Sequence, residues 1–262
     1  MTTLRSITKP TSFWVTNAVF IGRSLRLSLR NTEALLMAIL LPVMLMLLFT
    51  YVFGGALDPS GDYVNYVVPG IILLCAGFGS ASTAVDVATD MTNGIIDRFR
   101  TMPIHSLSIV TGHVVASLAR NLFATAVVIG VALIVGFRPS AGALEWIAAI
   151  GMITLFILTF TWLFAAIGLV TGSPSAASGY GFILLFLPYL SSAFVRTDTM
   201  PSWLQGVADH QPITPVIESI RGWLTGTPVQ DNAWWALGWC TIILLLSLTW
   251  CFIAFQRKAG RR

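Results

Sequence analysis

Apolar runs of about 20 residues recur along this chain, and they constrain its fold more than any other feature. A helix of that length spans the ~30 Å hydrocarbon core of a bilayer. The sequence is 56% hydrophobic and 10% charged, whereas about 25% of the residues of a soluble domain are charged. An outer-membrane barrel would instead show short strands of alternating polarity. We therefore expect an all-α polytopic membrane protein.

Six runs are long enough to be transmembrane helices. We place them at Ala34–Phe53, Val67–Val87, Ile109–Phe137, Leu144–Val170, Ala176–Val195 and Ala233–Phe255. Residues 1–33 then form an N-terminal segment, residues 34–255 the transmembrane domain and residues 256–262 a basic tail. The N-terminal segment lacks a short apolar stretch with a cleavage site, so we expect no cleaved signal peptide.

Basic residues are concentrated in three segments that a six-span topology places on one side. The N-terminal segment, the connection between the second and third spans, and the tail hold eleven of the 15 Lys and Arg residues. By the positive-inside rule these segments, and hence both termini, are cytoplasmic. This topology accounts for the net charge of +4, so we expect no nucleic-acid partner.

Residues 14–30 have the pattern of an amphipathic helix at the membrane surface. Helical spacing gives an apolar stripe of Trp14, Ala18, Ile21, Leu25 and Leu29. The opposite face is basic and carries Arg23, Arg26 and Arg30. Such a helix binds well to an anionic cytoplasmic leaflet. The alternative interpretation is a topology signal with no further role.

The connection between the second and third spans contains a compact polar sequence, NGIIDRFRTMPI, at residues 93–104. It combines acidic and basic side chains with a proline in a stretch too short to be a domain. We therefore expect this segment to be recognised by another protein on the cytoplasmic side, rather than to perform chemistry itself.

No catalytic, metal or nucleotide motif is found in the sequence. The three cysteines lack CxxC spacing, and the three histidines form no ligand pair. The two lysines, Lys9 and Lys258, precede Pro10 and Ala259, whereas a P-loop needs Gly-Lys followed by Ser or Thr. We expect a chain that is not an enzyme and binds no cofactor. If ATP is used, another polypeptide hydrolyses it.

The long connection at residues 196–232 is semi-apolar and contains prolines that suit the first turns of short helices. We expect two short external helices that re-enter the outer leaflet before the last span. The alternative is a surface hairpin that caps the bundle. Glu218 and Arg221 are three residues apart and can pair on one helical face.

Two further features lie within the predicted spans. Asp86 and Arg120 are expected to pair, because an intramembrane charge normally faces protein or water. The alternative for Arg120 is that it snorkels without a specific partner. Small residues from Ala76 to Ala84, and the sequence GLVTG from Gly168 to Gly172, indicate close helix packing.

Together these features resemble the permease of a type-2 ABC exporter, most closely the daunorubicin/doxorubicin-resistance-like drug exporters of actinobacteria. The resemblance covers nearly the whole chain. Its cytoplasmic motif implies that the residues contacting the ATP-binding subunit are Asn93, Gly94, Asp97, Arg98, Phe99, Arg100, Thr101 and Pro103. Its external motif is matched by Pro212, Pro215, Glu218, Arg221 and Gly226.

The resemblance also implies partners and a cargo class. Two permease chains, identical or sister, would pair in the inner (plasma) membrane of a bacterium and dock on two copies of an ATP-binding subunit that holds ATP and magnesium. The complex would export a hydrophobic or amphiphilic drug or a lipid-like substrate, with membrane lipid around it. Lipid-linked polysaccharide or lipid export is the alternative cargo. A secondary transporter is less favoured because no clear internal repeat is present. An intramembrane enzyme is disfavoured because no nucleophile and base are paired.

Overall fold

The computed structural model of the chain describes residues 13–30, 32–58, 61–94, 107–184 and 186–259. These residues are almost entirely helical, and the described ranges contain no strand. The α-helices are α1 (Phe13–Arg30), α2 (Thr32–Leu47), α3 (Gly54–Leu57), α4 (Tyr63–Thr92), α5 (Leu107–Val135), α6 (Ala143–Val170), α7 (Pro174–Leu184), α8 (Ser202–His210), α9 (Ile213–Thr225) and α10 (Asn232–Ala259). A π-helix, Leu48–Phe53, joins α2 to α3, and two 3₁₀ helices lie at Leu187–Leu190 and Thr197–Thr199.

Five segments in the described ranges are long and apolar enough to cross a membrane. They are Leu35–Leu57, Tyr63–Thr92, Ser108–Val135, Ala143–Val170 and Asn232–Gln256. These segments correspond to the first four predicted spans and the sixth. The sequence-based bounds were several residues too short at both ends of the second span, because polar residues such as Asp90 extend α4 beyond its apolar run.

The fifth predicted span, Ala176–Val195, is not one continuous helix. It contains all but the first two residues of α7, which has 11 residues, then the 3₁₀ helix Leu187–Leu190 and a turn at residues 191–195. A helix of 11 residues rises only about 16 Å, so α7 alone is too short to cross a bilayer. Pro188 explains the break, because a proline ring clashes with the carbonyl four residues earlier, here that of Leu184.

Helix α4 lies at the centre of the bundle and packs against α2, α5, α6, α7 and α9. Glycines allow its closest approaches. A Cβ on Gly168 of α6 would lie 2.5 Å from the Ala84 carbonyl oxygen, and one on Gly70 would lie 2.6 Å from that of Ala193. The predicted small-residue packing of the Ala76–Ala84 and Gly168–Gly172 stretches is therefore confirmed where Gly168 meets Ala84.

The bundle has two ends, which the contacts of α4 define. At one end, Tyr63 donates a hydrogen bond to the Phe194 carbonyl oxygen at 2.7 Å, and Arg138 N donates to Asn65 Oδ1 at 2.9 Å. The other end, here called the α1 end, contains Asp90, helix α1 and the first turns of α5. A separate apolar cluster fills the α1 end, made of Phe20, Val87, Ile109, Val110, Val114, Ala165, Ala166, Leu169, Cys251, Ala254 and Phe255.

Candidate coupling site

The segment 93–104 is connected to the ends of α4 and α5. Helix α4 closes at Asn93, whose N–H donates to the Thr89 carbonyl at 3.0 Å. Gly94 follows with φ +67°, the left-handed conformation in which glycine commonly ends a helix. Residues 95–106 lie outside the described residues, and with them the predicted docking residues Asp97, Arg98, Phe99, Arg100, Thr101 and Pro103. Helix α5 begins directly afterwards, so the segment joins two neighbouring helices at the α1 end.

Buried hydroxyl and amide groups link α4 to α5 in the inner part of the bundle. Thr83 Oγ1 donates a hydrogen bond to Ser117 Oγ at 2.8 Å, and Asn121 Nδ2 donates to the same oxygen at 3.2 Å. Asn121 also fills the space that Gly79 leaves open, since a Cβ on Gly79 would overlap Asn121 Oδ1. All four residues are buried. Polar contacts of this kind fix the register of two membrane helices.

The next contacts toward the α1 end involve Arg120. Its Nη1 lies 3.7 Å from Asp86 Oδ2, and its Nη2 donates a hydrogen bond to Ser82 Oγ. The Arg120 side chain is 6% exposed and that of Asp86 is 39% exposed. The contact expected between Asp86 and Arg120 is therefore present, and the burial of Arg120 disfavours snorkelling to the surface. Ser82 is a further partner that the sequence did not indicate.

Asp90 completes this series of contacts one turn further along α4. His113 Nε2 of α5 donates a hydrogen bond to Asp90 Oδ2 at 2.9 Å. Arg23 of α1 approaches the same carboxylate, with Nη1 3.1 Å from Oδ2 and Nη2 3.5 Å from Oδ1. We call the α4–α5 contacts from Gly79–Asn121 to Asp90–His113 the polar seam. Sequence reasoning indicated Asp90, with Asp86, as a charge at the end of the second span, but it missed the partners of Asp90, which are His113 and Arg23.

Helix α1 packs sideways against α5. Phe20 and Ser24 are buried, and a Cβ on Gly112 would lie 3.0 Å from the Phe20 carbonyl carbon. Ala18 is exposed and Ile21 and Leu25 are half-buried, so the predicted apolar stripe is not the face that packs on protein. Arg26 is exposed as expected, whereas Arg23 pairs with Asp90. The Trp14 and Arg30 side chains lie outside the described parts of α1.

A second group of predicted residues lies at the opposite end, on α9. Arg221 donates a hydrogen bond to Glu218, so this predicted pair is present. Its guanidinium also donates to the backbone carbonyl oxygens of Tyr66 (3.1 and 3.2 Å) and Ser192 (2.8 Å), and lies 3.9 Å above the Tyr66 ring. Arg221 is therefore a buried connection between α9, the start of α4 and the turn after Leu190.

The remaining residues of the external motif set the ends of α9. Pro212 precedes its first turn and Pro215 lies buried within that turn. Gly226 closes the helix with φ +75°, and its N–H donates to the Gly222 carbonyl. Helices α8 and α9 are the two short helices that the sequence predicts before the last span.

Among the residues that the structure describes, no three His, Cys, Asp or Glu side chains are grouped so that they could hold a metal ion. Asp90 and His113 form a pair with Arg23 rather than a ligand set. The arrangement at the α1 end holds α1, α4 and α5 together.

Comparison with known proteins agrees with these features. Residues 17–225 match the family described as ABC-2 type transporter, a range that includes the segment 93–104 and α9. The daunorubicin resistance ABC transporter permease protein DrrB1 of Streptomyces coeruleorubidus is 32% identical over 191 residues, which is 72% of this chain and 68% of that protein. The probable doxorubicin resistance ABC transporter permease protein DrrC of Mycobacterium tuberculosis (strain ATCC 25618 / H37Rv) is 25% identical over 226 residues, covering 85% of this chain and 81% of that protein.

A more distant relative is the inner membrane transport permease YadH of Escherichia coli (strain K12), which is 24% identical over 238 residues, 84% of this chain and 88% of that protein. The relatives are transport subunits, and permeases of this family work with an ATP-binding subunit. The resemblance seen in the sequence is confirmed, and the chain belongs to the ABC-2 type transporter family.

Proposed function

We propose that this chain is the transmembrane permease subunit of an ATP-driven exporter, and that a separate ATP-binding subunit drives it through the segment 93–104. Family membership and the named resistance permeases support this function. The observation that carries the proposal is the polar seam. It ties together the two helices that hold the segment, so that a push on the segment acts on both helices at once.

The seam has the length that such a lever needs. From Asp90 to Gly79 it covers 12 residues of α4, or 11 steps along the helix, a rise of about 16 Å or half of a ~30 Å hydrocarbon core. Motion that begins at the α1 end would therefore reach the middle of the membrane. Along its length α4 contacts three other long helices, α2, α5 and α6, which gives the lever a route to the transport pathway.

The energies of these contacts favour an α4–α5 hairpin, meaning the two helices and the segment 93–104 that joins them, that moves as one unit. Coupling between two sites in a protein typically amounts to about 1–3 kcal/mol. A hydrogen bond to a charged group contributes about 1.5–3 kcal/mol, and Asp90 and Arg120 provide two such bonds between α4 and α5. The ion pair of Arg120 with the half-exposed Asp86, at 3.7 Å, adds about 1 kcal/mol at most because solvent screens it. The summed contacts still exceed the coupling energy, so sliding of α4 along α5 is the costlier response.

The proposed topology has six crossings, with both termini in the cytoplasm of a bacterium and the chain in its inner membrane. Charge distribution supports a cytoplasmic α1 end. The course of the chain between α6 and α8 supports one further crossing in addition to the five long apolar segments. Ala176 lies beside Val170 and Trp250 at the α1 end, Gly181 lies beside Ala81 midway along α4, and Ala193 meets Gly70 near the opposite end. This crossing is interrupted near Pro188.

We further propose that α8 and α9 re-enter the outer leaflet rather than lie on the surface. Arg221 supports this position. Backbone carbonyls that no helix satisfies are tolerated at membrane depth only where protein or water covers them. Arg221 donates to the carbonyl of Ser192, which lies in a turn outside any helix, and this is the form of cover that the rule requires.

The proposed cargo is a hydrophobic or amphiphilic small molecule, drug-like or lipid-like. This class comes from the relatives that are named for resistance to daunorubicin and doxorubicin. The working complex would contain a second permease, identical or sister, and two ATP-binding subunits that hold ATP and magnesium. In that complex, α1 would lie on the cytoplasmic leaflet with Arg26 toward the lipid headgroups.

The test is transport in inside-out vesicles that contain the chain and its ATP-binding subunit. We expect ATP-dependent accumulation of daunorubicin, and co-purification of the two proteins. Reversing the charges of Asp97 and Arg98 together should abolish co-purification and transport. Reversing Arg196 and Asp198, an exposed ion pair at the opposite end, is the matched control and should preserve both.

Two results would contradict the proposal. One is retention of both binding and transport when Asp97 and Arg98 are reversed, which would refute docking through this segment. The other is uptake that depends on a proton or sodium gradient and not on ATP, which would favour a secondary transporter.

A further inference from the structure

We infer that Asp90 is a positioning residue that fastens α1 to the base of the α4–α5 hairpin, so that α1 and the segment 93–104 respond to the ATP-binding subunit as one body. The inference rests on the proposed function, since it assigns a role within ATP-driven coupling. No sequence motif includes this contact, because its three side chains come from three separate parts of the chain.

The first observation is the convergence of three helices on one carboxylate. Arg23 of α1 faces both Asp90 oxygens, at 3.1 and 3.5 Å, and His113 of α5 donates to Oδ2 at 2.9 Å. The side chains of Asp90 and His113 are only 11% and 10% exposed. A carboxylate this deeply buried is stable only when it is paired. Moving Arg23 and His113 away would leave the buried charge unpaired, and this free-energy cost holds both partners in place.

The second observation is where this cluster lies. Asp90 is two residues before the last residue of α4, Thr92, and His113 is in the second turn of α5. Both helical ends that carry the segment 93–104 are therefore tied to the same carboxylate. Any displacement of the segment changes the position of Asp90 before it reaches the rest of the seam.

The third observation is the way in which α1 is held. Gly112 brings the α5 backbone against Phe20, and Arg23 extends from the next turn of α1 past α5 to Asp90. Apolar packing covers only the Phe20 and Ser24 face of α1 in its described part, and Ala18 is exposed. Burial alone fixes the rotation of such a helix weakly, whereas the Arg23–Asp90 pair defines it.

Charge placement separates this cluster from the adjoining contact of the seam. Arg120 pairs with Asp86 and Ser82, one turn further into the bundle. Asp90 instead receives its positive partner from α1. The Arg120 contact with Asp86 and Ser82 joins α4 to α5, and the Asp90 contact extends the same unit to α1.

The experiment measures molecules of daunorubicin transported per ATP hydrolysed, in proteoliposomes that contain the full chain and its ATP-binding subunit. Asp90→Asn and Arg23→Gln should each lower this ratio by about two- to thirtyfold, the range typical of residues that couple two sites. The double variant should be no worse than the more affected single variant, because both remove one contact. Arg23→Lys keeps the charge and should restore part of the ratio, and Arg196→Gln, at an exposed ion pair at the opposite end, should leave it unchanged.

A second measurement decides the contact independently of transport. Hydrogen exchange of the full chain in nanodiscs should show faster exchange of α1 amides in Asp90→Asn than in the wild type, with the middle of α4 unchanged. Equal exchange of α1 amides in Asp90→Asn and the wild type would overturn the inference. So would an unchanged ratio of daunorubicin transported to ATP hydrolysed in Asp90→Asn and Arg23→Gln, when the wild-type complex transports. Failure of the wild-type complex to bind an ATP-binding subunit would instead refute the proposed function, and the exchange result would still decide whether Asp90 holds α1.

Discussion

The side-chain oxygen Oδ1 of Asn121 lies where a Cβ on Gly79 would stand, so the absence of a side chain at position 79 allows α4 and α5 to approach at this depth. Asn121 is fully buried, and Oδ1 has no conventional hydrogen-bond donor among the described residues. The amide nitrogen, in contrast, is bonded to Ser117. Shape, more than hydrogen bonding, therefore fixes the inner end of the polar seam.

Gly79→Ala should destabilise the folded chain by overpacking at this site. Forcing an extra carbon into a packed contact costs about 1–3 kcal/mol, so we expect a lower Tm in detergent and a smaller folded yield. Gly130→Ala is the matched control in α5, because nothing lies within 4 Å of a Cβ there, and alanine favours a helix over glycine by about 0.5–1 kcal/mol. An equal Tm for the two variants would refute the close approach of Asn121 to Gly79.

Arg120→Ala should impair transport more than the double variant Arg120→Ala/Asp86→Ala does. Removing the arginine alone leaves Asp86 beside the membrane core without its counter-charge, at a cost of up to about 2.5–3.5 kcal/mol if it lies at the centre of a span. Removing both charges avoids that cost. Transport rates in inside-out vesicles, measured at equal amounts of protein, check this order. Additive losses in the double variant would show that the two residues act separately.

Arg221→Met should greatly reduce the amount of folded protein. The change removes the donor to the Ser192 carbonyl, which lies in a turn, and such a buried unsatisfied group costs about 1–3 kcal/mol. Arg221→Lys should be intermediate, because a lysine cannot supply the planar set of donors that reaches the carbonyls of Tyr66 and Ser192. Size-exclusion chromatography and Tm are the readouts. Arg196→Lys, at an exposed pair, should behave as wild type, and an unaffected Arg221→Met variant would contradict the role of Arg221.

Sequence patterns could predict features that arise within one helix or one apolar run. The four spans that become α2 and α4–α6, the last span, the helix at 14–30 and the Glu218–Arg221 pair all depend on local periodicity. The break in the fifth predicted span was harder to predict, although Pro188 indicates it. The Arg23–Asp90 contact joins residues 67 positions apart, and no local pattern links them.

Contacts with backbone atoms could not be predicted from the sequence for a different reason. Arg221 binds the carbonyl oxygens of Tyr66 and Ser192, and a carbonyl is present in every residue, so it carries no signal in the sequence. The docking residues from Asp97 to Pro103 also stay a prediction, because they lie outside the described residues.

The central claim is that α4 and α5 carry the segment 93–104 as one rigid unit, and a disulfide across the seam tests it most directly. Thr83→Cys and Ser117→Cys, in a chain whose three native cysteines are replaced by alanine, put two sulfur atoms where hydroxyl oxygens now lie 2.8 Å apart, and mass spectrometry verifies that the bond forms. The account predicts that ATP-dependent transport of daunorubicin is the same in the oxidised and reduced complex. Loss of transport on oxidation, reversed by dithiothreitol, would contradict it, because α4 and α5 would then have to move against each other.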